Sequence, residues 1–68
     1  MEDIIESRDL QVERKHFFIE IRENDRGRFL RITEETHGRR NTVIIPGSGL
    51  PEFGRLVSDI LAANAEDA

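Results

Sequence analysis

The sequence of 68 residues predicts an α+β fold, a four-stranded antiparallel β-meander followed by one C-terminal helix. Three observations predict it. Apolar residues alternate at period two from about residue 7 to residue 45, the period of half-buried strands. Clusters of Asn, Asp and Gly interrupt that alternation, as tight turns require. From Leu50 onward the period changes to 3.6, the signature of an amphipathic helix.

The first strand, about 7–14, alternates weakly, with Leu10 and Val12 on one side and Gln11 and Glu13 on the other. The second, 16–23, alternates cleanly. Phe17, Ile19 and Ile21 take one face, and Phe18, Glu20 and Arg22 take the opposite one. Asn24-Asp25-Arg26-Gly27 is a hairpin turn, in which Gly27 supplies a positive φ and Asn24 or Asp25 bonds to its own backbone. The third strand, 28–35, continues the apolar face with Leu30 and Ile32 and leaves Phe29, Arg31 and Thr33 on the other. Thr36–Asn41 reads as a second, looser turn. The fourth strand, 40–46, holds the β-branched run Thr42-Val43-Ile44-Ile45 and stops at Pro46, which has no N–H for a ladder.

Gly47-Ser48-Gly49 is a hinge leading into a helix over 50–63. Pro51 suits a first helical turn, and the carboxylate of Glu52 faces the positive end of the helix dipole. Phe53, Leu56, Val57, Ile60 and Leu61 form one apolar stripe, and Gly54 implies close approach by another backbone. The tail Asn64–Ala68 is polar and is expected to fray.

A helix of this length spans only about 21 Å and covers a twisted four-stranded sheet poorly. A chain this small also buries only about 60% of its unfolded surface, and there is no Cys to staple it. Two chains sharing their helices answer both deficits, so a homodimer is expected, with Phe53, Leu56, Val57, Ile60 and Leu61 at its core.

Several function classes are excluded at this level. His16 and His37 stand on different elements without acidic partners at ligand spacing, so no metal site is expected. Ser7, Ser48 and Ser58 lack a neighbouring general base, and Gly47-Ser48-Gly49 lacks the Lys of a phosphate loop. The expectation is no enzyme, no catalytic residue, no cofactor and no small-molecule substrate. Apolar runs are far short of the roughly 20 residues of a membrane span, and Met1-Glu2-Asp3 is too acidic for a secretory signal, so a cytoplasmic protein without a membrane partner is expected.

The formal net charge of −4 hides a division. Eight of the ten cations lie within residues 14–40, and seven of those eight are Arg. The outer sheet face is thereby expected to carry Phe18, Arg22, Phe29 and Arg31. Rings that stack on bases beside guanidinium groups that follow phosphates suit single-stranded nucleic acid. The same residues also suit a cross-strand aromatic pair, a dimer interface, or a protein-interaction or structural dimerisation module. Asn24 can offer donor and acceptor to a base edge or serve only the turn. Arg22 and Arg26 bracket that turn as phosphate or guanine contacts, or as solvated charge.

The stretch from Arg14-Lys15-His16-Phe17-Phe18 through Glu23-Asn24-Asp25-Arg26-Gly27-Arg28-Phe29-Leu30-Arg31-Ile32 closely resembles the core of the PUR repeat, the module of purine-rich-element-binding (Pur-alpha-like) proteins. The similarity runs on through Gly38-Arg39-Arg40-Asn41 and Glu52-Phe53, from about residue 8 to residue 62. The resemblance implies a ββββα unit that pairs with a second unit by exchanging helices. With a single repeat, as in small bacterial members, residues 1–68 would pair with a copy of themselves. It implies binding of single-stranded DNA and RNA with a leaning to purine-rich, G-containing sequence, separation of short duplexes, and a role such as transcription regulation. Carried across position by position, the family's contacts fall on Arg22, Asn24 and Arg26, on a base-stacking Phe29, and on Glu13, Arg14 and Lys15 ahead of the second strand. Glu13 and Arg14 stand where neutral residues are usual, Phe18 stands where Tyr is common, and Asp25 stands where a second basic residue can occur.

Overall fold

The computed structural model describes residues 2–65. Strands β1 (Asp3–Val12), β2 (Lys15–Asn24), β3 (Gly27–Thr36) and β4 (Arg39–Pro46) form one sheet in the order β1-β2-β3-β4, every pair antiparallel. A single 3-10 turn, Gly47–Gly49, leads into helix α1 (Leu50–Ala63). This is the ββββα meander that the two periods predict.

The first strand departs most from its expected bounds. It begins at Asp3 and ends at Val12, because Glu13 and Arg14 form the hairpin turn rather than ladder positions. Glu13 takes φ 55°, a left-handed conformation that costs a non-glycine residue about 1 kcal/mol. The Gln11 side-chain amide donates to the Glu13 carbonyl at 3.0 Å and helps to hold it there. Near its start, β1 carries a bulge: Ile4 pairs with Arg22 and Glu6 with Ile21, leaving Ile5 as the extra residue.

The other two turns are tight. Asn24 pairs with Gly27, whose φ is 117°, and the Asn24 side-chain oxygen accepts the Arg26 N–H at 2.8 Å. Between β3 and β4 the expected loose turn is only His37-Gly38, both at positive φ, so Arg39, Arg40 and Asn41 are strand residues. That positive pair matches the right-handed twist of the flanking strands.

Direct pairing assigns every side chain to a face. Phe17, Ile19, Ile21, Leu30, Ile32, Val43 and Ile45 share the apolar face with Leu10 and Val12. His16, Phe18, Glu20, Arg22, Phe29, Arg31, Thr33, Glu35, Arg40 and Thr42 share the polar one with the exposed Ile44.

Burial inverts the usual relation between these faces. Phe29 and Thr33, both on the polar face, are the buried residues among those described. On the apolar face Leu10, Ile19 and Val43 are exposed. Within one chain the helix stripe does not cover that face, contrary to the simplest packing expectation. Helix α1 packs on the 3-10 turn, and Leu56, Val57, Ile60 and Leu61 are all exposed. Phe53 is half-buried, and the space around Gly54 is open. At its end the Asn64 N–H and side-chain amide both donate to the Ile60 carbonyl, at 3.1 and 2.9 Å. Of the tail expected to fray, residues 66–68 lie outside the described residues.

Candidate nucleic-acid interface

Strand alternation and register bring five of the expected contact residues together on the polar face: Phe18, Arg22, Asn24, Phe29 and Arg31. Phe18 does not stand alone. The His16 ring stacks on it at 4.4 Å and 5°, because residues i and i+2 of a strand share a face. The Arg40 guanidinium lies 5.9 Å over the same Phe18 ring, reaching across from β4. Neither His16 nor Arg40 was singled out from sequence. His16 follows from the alternation of β2 alone, and Arg40 follows once the second turn shrinks to His37-Gly38, which sets it opposite Glu35 and Glu35 opposite His16.

Three guanidinium groups cross the face on successive strands, Arg22 on β2, Arg31 on β3 and Arg40 on β4. Arg22 donates to Glu20 at 2.9 Å and to Glu2 at 2.8 Å, and these bonds hold it still more firmly protonated. Arg40 donates to Glu35 at 2.8 Å. Arg31 sits opposite Glu20, but that carboxylate is taken by Arg22, and the Arg31 Nε is buried without a hydrogen-bond partner. A small recess of about 120 Å³ lies among Phe18, Arg22, Arg31, Thr33 and Arg40.

Phe29 requires a correction. It shares the face as expected, yet the residue is 8% exposed instead of open to solvent. Pro46 pairs directly opposite it, and the Gly47–Gly49 turn packs against β3. A Cβ on Gly47 would collide with the Arg28 carbonyl oxygen, so glycine is what lets this turn lie so close. Phe29 and Pro46 therefore line a cleft of about 480 Å³ together with Asn24, Arg26 and Ser48.

Lys15 and Arg14 are not brought to this group. Lys15 pairs with Val12, which puts it on the apolar face, where its ammonium meets Glu34 at 2.7 Å. That contact raises the pKa of Lys15 and lowers that of Glu34. Arg14 lies in the β1–β2 turn, separated from the Asn24–Gly27 turn by the length of β2, roughly 30 Å. With Phe17, Thr36 and His37 these two cations line a separate hollow of about 400 Å³.

Among the described residues no cluster of three or more His, Asp or Glu side chains is arranged to hold a metal ion. No helix there is long and apolar enough to cross a membrane.

Comparison with known proteins gives the arrangement a lineage. The chain is 49% identical over 47 residues to transcription factor Pur-alpha 1 of Arabidopsis thaliana, covering 69% of this chain and 16% of that protein. It is 35% identical over 66 residues to transcriptional activator plp-1 of Caenorhabditis elegans, covering 93% of this chain and 29% of that protein. It thus spans less than a third of either relative's length. The family model described as PurA ssDNA and RNA-binding protein matches residues 1–68, and the chain belongs to that family.

Proposed function

We propose that this chain binds single-stranded DNA or RNA on the polar face of its sheet, as a homodimer with exchanged helices. One observation carries the reading: a His16–Phe18 stack lies beside Arg22, Arg31 and Arg40 on three successive strands. Rings of this kind accept bases at roughly 1–3 kcal/mol each, and the guanidinium groups follow the phosphates. The family match supports the same ligand class.

Within this reading Phe18 is the stacking platform and Phe29 is the floor of the cleft beside it. Asn24 and Arg26 line the same cleft. The Asn24 carbonyl is engaged by the turn, which leaves its two amide hydrogens for a ligand. Donors there suit the N7 and O6 acceptors of guanine better than the mixed edge of adenine, which favours G-containing purine-rich strands. Arg14, in the turn at the far end of β2, takes a phosphate of a longer strand, whereas Lys15 faces the other side of the sheet and stays with Glu34. Both relatives are named as transcriptional proteins, which supports a setting in transcription regulation.

A second reading, a dimerisation or protein-interaction module without nucleic-acid activity, is favoured by the exposed stripe Leu56, Val57, Ile60 and Leu61. Fluorescence anisotropy separates the two. Labelled purine-rich DNA and RNA strands are titrated beside a pyrimidine strand and a duplex at two salt concentrations. Salt-sensitive binding to single strands that falls with Phe18→Ala is the expected result. Dimers that bind no strand even at low salt would leave the second reading.

A further inference from the structure

We propose that Glu2 and Glu35 are built-in competitors of the ligand: their carboxylates occupy Arg22 and Arg40, and a nucleic-acid phosphate must displace them. The inference rests on the single-strand-binding reading above. The polar face holds a row of three guanidinium groups in a clasped, open, clasped arrangement. Glu2 reaches Arg22 from the beginning of the chain at 2.8 Å, although twenty positions separate them in sequence. Glu35 holds Arg40 at 2.8 Å, across neighbouring strands. Between them Arg31 has no ion-pair partner among the described residues, and its Nε is unsatisfied. Arg31 is thus the cation that receives the first phosphate, and the outer two engage as their carboxylates swing away.

The exchange is chemically easy. A carboxylate and a phosphate oxygen make the same charge-assisted bonds to a guanidinium. Glu2 has 47% of its side-chain surface open and Glu35 has 37%, so each carboxylate can turn to water as a phosphate arrives, while Arg22, itself 19% exposed, keeps its bond to Glu20. The exchange also leaves a thermodynamic signature. A free cation that meets a phosphate adds about 0.7 to the steepness of the salt dependence for single strands. A cation already neutralised within the protein adds less.

The test compares wild type with Glu2→Gln, Glu35→Gln and the double variant. Glu52→Gln is the control, since it makes the same charge change on the helix, where Glu52 stands 4.0 Å from Arg55. The probe is a labelled purine-rich single strand, titrated over a range of salt, with circular dichroism to verify the fold. Each single substitution is expected to tighten binding about two- to fivefold, the double more, and the control not at all. The slope of log affinity against log salt is expected to steepen in the same order. Wild-type binding that is unchanged in Glu2→Gln and Glu35→Gln overturns the inference alone, as does equal tightening by the control. Absence of binding by every protein at low salt overturns the single-strand reading as well.

Discussion

Phe18 and Phe29 lie on the same face, yet one ring is half-buried beside His16 and Arg40 and the other is buried opposite Pro46 and the turn that follows it. Their substitutions should therefore separate. Phe18→Ala is expected to weaken single-strand binding by about 1–3 kcal/mol in anisotropy titrations, with little change in the urea midpoint. Phe29→Ala removes the one buried apolar side chain described and is expected to cost about 3 kcal/mol of stability in urea unfolding. The Lys15–Glu34 pair adds a pH-dependent effect. Because Glu34 titrates below its ordinary range, the pair stabilises the fold above the unfolded-state pKa, and that contribution fades as pH falls through the folded value. On the alkaline side the raised Lys15 pKa keeps the contribution until pH rises through it. Lys15→Gln should return the Glu34 carboxyl to the ordinary range in an NMR titration.

The elements were legible in the sequence to different degrees. Strands β2 and β3 have clean alternation that assigns their faces from sequence, and the helix follows from its change of period. β1 differs from its expected bounds at both ends, at the far end because the Glu13-Arg14 turn needs a non-glycine residue at positive φ, and at the start because the bulge at Ile5 interrupts the alternation. The place of Arg40 over Phe18 depends on the length of the second turn, which fixes the register of β4, whereas His16 beside Phe18 is legible from the alternation of β2 alone. Burial of Phe29 was illegible in principle from alternation, since its cover comes from Gly47–Gly49, outside the sheet. This turn can be tested directly. In Gly47→Ala the new methyl meets the Arg28 backbone carbonyl, which cannot yield as a flexible side chain would. The variant is expected to lose about 1–3 kcal/mol in urea unfolding and to expose Phe29.

At the scale of the whole molecule, the single chain is too open for its mass. Its accessible surface is 5847 Å², where a compact protein of 7.9 kDa presents about 4,400 Å². Its radius of gyration is 13.8 Å, against about 11 Å for a compact chain of this length. The excess resides in two apolar surfaces, the sheet face around Ile19 and Val43 and the helix stripe around Ile60 and Leu61, which the chain does not bring together. Light scattering coupled to size exclusion is expected to give twice the chain mass for wild type. The double variant Leu56→Asp/Ile60→Asp, which charges the stripe without altering a contact inside the sheet, should give a single-chain mass or lose cooperative unfolding.

The bulge at Ile5 gives this molecule an evolutionary lever. Strand parity decides which face a side chain sees, and the extra residue is what brings Glu2 to the side of Arg22. An uninterrupted ladder would set Ile5 opposite Arg22 and turn Glu2 towards the apolar face. Losing the bulge while retaining the sequence would turn Asp3 onto that surface beside Asn24 in place of Glu2, so a change of register alone would exchange the long carboxylate that reaches Arg22 for a shorter one.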